Sequence, residues 1–402
     1  FMAKRRNGEG TWGKKKIKGI EYQFYRDDKG KYFYGKTQKE VKAKIKAYHE
    51  QQFNTIILSD PEIAKQPFGD YVVAWLTDQK KNIKQHTLDG YENCIKGQLL
   101  DFEENKLSDI QVGALTTEKV KEYYNALTKK YARSTISKNY AILSQCIKYG
   151  NKKGVFKETI DLDEIVLPHE EHVVKKKKKI QFLDEKDVQK LCEEAQRINT
   201  PGFNWGGKIG EPTYGNNAKL LIFLIFTGLR ISEAIDLQWR DVDLDSDIKR
   251  IKISSTSVQL KNRKENATTK YITSSSSTKT QSGERFIPLN DKALEIIEYE
   301  RKLNPKHKPN DYVFITKNGG KIQSRQNVNR TLKQMVVRSG CTTDCTPHEL
   351  RHTFGSLLLK KGVDIKIVSE LLGHKDISVT YNIYIHILEE QKVSALNVLN
   401  VL

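Results

Sequence analysis

Thr346-Pro347-His348-Glu349-Leu350-Arg351-His352-Thr353-Phe354 decides how this chain is read, together with Leu371-Leu372-Gly373-His374 and Thr380-Tyr381-Asn382-Ile383-Tyr384-Ile385-His386 just beyond it. His348 and Arg351 are three positions apart, so on a helix they share one face and can grip one anion together. His374 follows Gly373, a residue suited to a helix cap or to a close approach of backbone. Tyr381 and Tyr384 are two candidate phenol nucleophiles. A further arginine, Arg230, lies upstream in Thr227-Gly228-Leu229-Arg230-Ile231-Ser232-Glu233, directly after an apolar run from Leu220 to Phe226. The chemistry on offer is guanidinium, imidazole and phenol, a set suited to holding and attacking a phosphate.

These four pieces, in this order, resemble the tyrosine recombinase (integrase) family. That family carries an arginine in a Gly-Leu-Arg-x-Ser-Glu motif, a His-x-x-Arg motif, a Leu-Gly-His motif, and a tyrosine shortly before a histidine. The resemblance runs from about Phe182 to Ile387, and the layout looks most like the integrases of conjugative transposons and temperate phages of Gram-positive bacteria. It implies that Arg230 and Arg351 are the paired catalytic arginines, that His348 assists proton removal, and that His374 hydrogen-bonds a non-bridging phosphate oxygen. Glu233 would orient Arg230, and His386 would support the tyrosine from behind. Lys279, in Thr278-Lys279-Thr280-Gln281-Ser282-Gly283-Glu284-Arg285-Phe286-Ile287-Pro288-Leu289, resembles the family's hairpin lysine, a general acid for the leaving 5′ oxygen; Lys270 is its rival. Tyr384 lies ten residues past His374, where many recombinases have nine, a spacing that here falls on Ile383. The transposon branch commonly has the longer spacing, so Tyr384 is expected as the nucleophile and Tyr381 as a packing residue.

Bulk properties agree with a nucleic-acid partner. The 402 residues allow two or three domains, and a formal charge of +19 argues for a polyanion. Acidic membranes or the ribosome would also attract such a chain, but its tyrosine content and long structured segments argue against a disordered basic tail. Five scattered cysteines give no disulfide framework, and Cys341 with Cys345 lacks the second pair that a zinc ribbon needs. No metal and no cofactor is expected. No apolar run approaches the ~20 residues of a membrane span, and a cytoplasmic, nucleoid-associated bacterial protein is expected.

Composition and periodicity suggest the rest. Residues 1–52 hold fifteen Lys or Arg against six Asp or Glu. Trp12, the stretch Ile20 to Phe24 and the stretch Lys31 to Tyr34 read as strands, and Thr37 with Glu40 as a capping box opening a helix. The expectation is a small three-stranded sheet backed by a helix, which by resemblance is an arm-type DNA-binding domain over residues 1–58. Pro61 and Pro67 suggest a linker over 53–67. Four apolar stripes follow, through Trp75, Tyr91, Tyr124 and Leu143, with Thr87, Thr117 and Ser134 as caps. They predict a four-helix core-binding bundle within 65–172. Lys175, Lys176, Lys177, Lys178 and Lys179 form an unbroken run suited to DNA backbone contacts.

A mainly α-helical catalytic domain with a small antiparallel β-sheet is expected over 180–402. Asp184 should cap its first helix, with Asp187 in the reciprocal position. Residues 201–217 should form a loop, the lysine-rich Ser254–Lys270 a polar hairpin tip or loop, and Asp291–Lys302 and Gln326–Ser339 two helices. The resemblance further implies a homotetramer on double-stranded DNA, bound at element ends and at a target site, that passes through a Holliday junction. The apolar tail from Val393 to Leu402 would be exchanged between protomers, with packing in cis as the alternative. An excision factor and a host DNA-bending protein are possible partners. The competing readings are a type IB topoisomerase and a non-catalytic architectural DNA-binding protein that kept the fold.

Overall fold

The computed structural model of the chain describes residues 11–17, 20–26, 30–45, 61–174, 181–197, 217–264, 267, 269–277, 284–316, 319–322 and 324–397. The chain divides into two compact units, Phe1–Lys177 and Lys178–Leu402.

The first unit opens with strands β1 (Thr11–Ile17), β2 (Ile20–Arg26) and β3 (Tyr32–Gly35), followed by a helix, α1, over 38–45. The sheet is antiparallel in the order β1-β2-β3. Thr37 accepts the Glu40 amide at 3.2 Å, as a helix cap should, but the Glu40 carboxylate turns back to the Lys36 amide at 2.7 Å. Phe33 and Val41 are buried, while Trp12 and Tyr32 stay exposed among lysines on the strands.

A helical core follows, built from α2 (Pro61–Lys65), α3 (Phe68–Gln79), α4 (Gln85–Ile95), α5 (Thr117–Leu127) and α6 (Arg133–Lys153). Its interior holds the expected stripe residues, among them Trp75, Leu88, Tyr124 and Leu143. Several details differ from expectation. Pro61 opens a short helix instead of preventing one, because proline at a first helical position gives up an amide that needs no partner; residues 53–60 lie outside the described ones. The cap of α5 is Thr116, not Thr117, since it is Thr116 that accepts the Lys119 amide. Thr87 and Ser134 lie inside their helices, which begin after Lys84 and Ala132. The five-lysine run 175–179 falls outside the described residues.

The second unit is mainly helical, as expected. It begins with α7 (Glu185–Arg197), α8 (Asn217–Thr227) and α9 (Ile231–Asp236). Strands β4 (Val242–Asp243), β5 (Arg250–Ile253), β6 (Ser255–Lys261), β7 (Tyr271–Ser277) and β8 (Arg285–Pro288) come next. Helices α10 (Asp291–Leu303), α11 (Arg325–Ser339), α12 (Pro347–Lys360), α13 (Ile365–Leu372) and α14 (Ile377–Asn397) complete it. Helix α8 is buried nearly all round and forms the axis of the core. That is what an apolar run without polar interruption demands.

The β region makes two small sheets rather than one: β4-β5-β8, and a separate hairpin β6-β7. Much of the segment expected as a hairpin tip is strand β6, paired from Ser255↔Ser277 to Lys261↔Tyr271. Its polar, serine-rich sequence masked the alternation on which strand recognition rests. Residues 201–216, expected as a loop, lie outside the described residues.

Asp184 caps α7 as predicted, accepting the Asp187 amide at 2.8 Å. Asp187 does not answer reciprocally. Its nearly buried carboxylate instead takes the Thr342 amide at 3.2 Å, the Thr342 hydroxyl at 2.9 Å and Lys190 at 3.3 Å, tying α7 to the connection between α11 and α12. Asp187→Ala should therefore lower the unfolding free energy by about 2–3 kcal/mol, the scale of hydrogen bonds to a charged group. Urea unfolding of the full chain measures this, and an unchanged midpoint would remove Asp187 from the account of this junction.

Candidate functional site

Arg351 is the residue around which the site closes. It projects from α12, whose start is set by Thr346 and Pro347, with the Thr346 amide donating to Glu349 at 2.7 Å. Only 1% of Arg351 is exposed, so its guanidinium must find partners inside the protein. Nη1 donates to the Gly228 carbonyl at 2.8 Å and Nη2 to the Leu372 carbonyl. Those two carbonyls sit where α8 and α13 end, each at a left-handed glycine (φ +65° at Gly228, φ +63° at Gly373). Gly228 has a second reason to be glycine, because an added Cβ would meet the Phe354 ring at 2.4 Å. Burial and the neighbouring Arg230 lower the Arg351 pKa to about 9, which leaves it protonated at neutral pH.

Arg230 immediately precedes α9 and is more exposed. Its Nη1 donates to Glu233 Oε1 at 2.8 Å and its own amide to Oε2 at 2.8 Å, so the carboxylate both caps the helix and steers the side chain. Arg285, the first residue of β8, reaches the same carboxylate at 3.0 Å through Nη2, and its Nε donates to the Leu371 carbonyl at 2.8 Å. Burial disfavours ionised Glu233, but Arg285, Arg230 and Arg351 outweigh it and hold the carboxyl below its ordinary range. Sequence reasoning assigned Arg285 no role; here it connects the Arg230 and His374 segments. The distance in sequence, 52 residues from Glu233, left no periodic signal.

The histidines form a layer beside the arginines. The rings of His348 and His352 lie 4.6 Å apart, centre to centre, and His352 lies 6.2 Å from the Tyr384 ring. His374 follows the Gly373 cap, and its Nδ1 is 2.7 Å from the buried Thr380 hydroxyl, a partner that sequence reasoning missed although it stands only six residues on. Burial lowers the pKa of all three histidines, and Arg351 pushes the same way in each. The values for His352 and His374 fall to about 4.

Tyr384 is fully buried, and its hydroxyl donates to the His352 carbonyl at 3.2 Å. It is the one non-helical residue within α14 (φ −111°, ψ 15°). Burial raises its pKa, with Arg351 opposing. Tyr381 is 40% exposed and does not pack as expected. His386 lies on the same helix two residues on, with its side chain outside the described residues. Lys279 also lies outside them, whereas its rival Lys270 stands at the far tip of the hairpin, beside Tyr271. Of the apolar tail, α14 runs to Asn397 with Leu396 exposed, and 398–402 lie outside the described residues. Among the described residues no cluster of three or more His, Cys, Asp or Glu is placed to hold a metal ion, and no helix is long and apolar enough to cross a membrane.

Arg230, His348, His374 and Tyr384, from separated pieces of sequence, thus all lie within electrostatic reach of Arg351. Residues 181–391, which contain them all, match the family described as "Phage integrase family". The chain belongs to the phage integrase family. Membership makes it a tyrosine recombinase in the broad sense, a class of DNA strand-transfer enzymes acting through a phosphotyrosine. Among similar phage integrase relatives, a "Tyrosine recombinase XerC-like" protein of Caldanaerobacter subterraneus subsp. tengcongensis is 29% identical over 93% of each chain. The tyrosine recombinase XerC of Bacillus subtilis is 27% identical over 77% of this chain and 89% of its own. Two solved structures share the fold. The Tn1549 transposon integrase, in complex with a circular intermediate DNA, has a TM-score of 0.61 at 18% identity and covers 80% of this chain and 95% of its own. A lambda integrase dimer bound to a core site gives 0.55 at 16%, covering 95% and 96%.

Two outcomes follow from this geometry. A Cβ on Gly355 would lie 2.3 Å from the Tyr384 hydroxyl oxygen. Gly355→Ala should therefore destabilise the protein by about 1–3 kcal/mol through overpacking. Adding Tyr384→Phe, which removes that oxygen, should recover part of the loss, and strict additivity in unfolding measurements would contradict the contact. The second outcome concerns pH. His352 and His374 bind a proton less readily folded than unfolded, so acid favours unfolding. Stability should be unaffected by them above pH ~6.5 and decline from there to about pH 4. His352→Gln should make that decline shallower in thermal unfolding; an unchanged slope would count against a neutral buried His352.

Proposed function

We propose that this protein is a site-specific integrase that cuts and rejoins double-stranded DNA through a 3′-phosphotyrosine, integrating and excising a mobile element. The observation that carries the proposal is the convergence of Arg230, Arg351, His348 and His374 with the phenol Tyr384. In the proposed reaction the two guanidiniums hold the scissile phosphate and offset charge that builds on its oxygens. Glu233 keeps Arg230 in place. His374 donates from Nε2, its Nδ1 being occupied by Thr380. His348, neutral because of its burial and the nearby arginines, is suited to take the tyrosine proton. The Tyr384 oxygen bonds to phosphorus as the bond to the 5′ oxygen breaks, and Lys279 supplies the proton that turns the leaving oxygen into a hydroxyl. That hydroxyl then attacks the phosphotyrosine of a partner strand, forming a new bond from phosphorus to the 5′ oxygen as the bond to the tyrosine oxygen breaks and the phenol regains its proton, so the phosphodiester energy is conserved without ATP. Attack requires Tyr384 to give up its hydrogen bond to His352.

Around this centre we assign 1–58 to arm-type DNA binding, 65–172 to core binding and 180–402 to catalysis, with Lys175–Lys179 on the DNA backbone. His386 would support Tyr384. Four protomers would complete two exchanges through a Holliday junction, linked by their C-terminal tails, with an excision factor and a DNA-bending protein as auxiliaries. The similarity to the Tn1549 integrase fold favours a conjugative transposon as the element, acting in the bacterial cytoplasm.

The test is a suicide duplex carrying one element end, chosen by selection for bound sequences. A denaturation-resistant protein–DNA adduct should form with wild type and Tyr381→Phe and vanish with Tyr384→Phe. Loss with Tyr381→Phe alone would move the nucleophile. Specific binding without any adduct would favour an architectural protein, and relaxation of supercoils without joining of two sites would favour a topoisomerase.

A further inference from the structure

Outside the phosphate site lies a second ionic cluster that the reaction as described does not use. Asp236 ends α9, one turn after Glu233, and is 1% exposed. Its Oδ1 is paired with Lys321, whose side chain is only 8% exposed, and accepts the Ser275 hydroxyl of β7 at 2.5 Å. Lys321 also donates to Ser275 Oγ at 2.9 Å and lies 4.7 Å over the Tyr312 ring. Tyr312 in turn stands 3.4 Å from Ser275 Oγ and bridges Gln238, two residues past Asp236. The other oxygen, Oδ2, is buried with no hydrogen-bond partner among the described residues.

Burying a charged pair in this way is costly, and an apolar contact of similar volume commonly stabilises a fold at least as well. What the ionic arrangement adds is direction. It fixes one strand of the exposed hairpin against one turn of α9. The same short helix carries Glu233, which fixes Arg285 at the start of β8. Thus the last described residues of β7 and the first of β8 are each tied through a buried carboxylate to the helix headed by Arg230.

We propose that Lys321, with Asp236 and Ser275, is a positioning group for strand transfer: it registers the β6-β7 hairpin on α9 so that the leaving 5′ oxygen is protonated efficiently. The proposal rests on the recombinase reading above, since Lys279 follows two residues after the end of β7. It does not make Lys321 a catalytic residue, because Lys321 is engaged with Asp236 and Ser275 and acts through the hairpin.

The experiment compares adduct formation on two suicide duplexes, one with the natural 5′ oxygen and one with a bridging 5′ sulfur at the scissile phosphate. In the natural case the P–O bond breaks and the oxygen needs a proton; in the other the P–S bond breaks and the thiolate leaves without one. Lys321→Met should slow cleavage of the oxygen substrate by about 10–100-fold while changing the sulfur substrate by less than about 3-fold, as for loss of general-acid assistance. Ser275→Ala, which leaves the ion pair in place, should show the same selectivity to a smaller degree, and Lys321→Arg should recover part of the rate. Equal slowing on both substrates by Lys321→Met and Ser275→Ala would overturn the proposal and leave the cluster a purely structural contact. Lys279→Ala reports separately on the underlying assignment: restored by sulfur, it supports Lys279 as the donor. Unrestored, it removes Lys279 from that role, while selective rescue of Lys321→Met would still establish hairpin positioning.

Discussion

The second unit is organised by the need to satisfy one buried guanidinium. Arg351 cannot reach bulk water, and an unpaired charge in that position would be prohibitive. Its partners are the carbonyls at the C-terminal ends of α8 and α13. A helix end leaves carbonyls without intrahelical donors and carries partial negative charge, so both ends gain from a cation. The left-handed glycines allow the chain to turn away at once and bring Arg230 and His374 back beside the same guanidinium. The Gly-Leu-Arg and Leu-Gly-His motifs are therefore held beside Arg351 because each supplies a carbonyl that the buried charge requires.

A second constraint is the balance of charge. Arg230, Arg285 and Arg351 surround the carboxylate of Glu233, an excess of positive charge that favours an anion and adds to burial, the larger cause, in keeping His348, His352 and His374 neutral. Glu233 gives direction more than neutrality: each of its oxygens accepts from both Arg230 and Arg285, so movement of β8 is felt at Arg230. In the proposed reaction the scissile phosphate supplies the charge that the protein lacks.

Much of this was legible in the sequence where the signal is local. The His348–Arg351 pair, the Thr346-Pro347 helix start, the Asp184 cap and the glycine before His374 depend on residues a few positions apart. The apolar stripes of the helical core and the wholly apolar α8 follow from periodicity in the same way. What escaped were contacts closed by tertiary structure. Arg285 meets Glu233, Asp187 meets Thr342 and Lys321 meets Asp236 across separations that no local pattern marks. Strand β6 escaped for another reason: its polar residues read as hairpin tip or loop, and its pairing with β7 is what makes it a strand. Tyr381 and Tyr384 were separable only by family spacing, because residues three apart on a helix lie on nearly the same face. Tyr384, where the backbone is non-helical, has its ring in the interior, and Tyr381 is exposed.

That backbone break bears on reactivity. A phenol is a weak nucleophile until it loses its proton, and burial opposes that loss at Tyr384 while Arg351 assists it. In the arrangement described here burial prevails, and the proton is donated to the His352 carbonyl. Exposure toward the arginines would reverse the balance, because solvation and positive charge then act together. Since Tyr384 already departs from helical geometry, such a shift does not require α14 to break a regular turn at that residue.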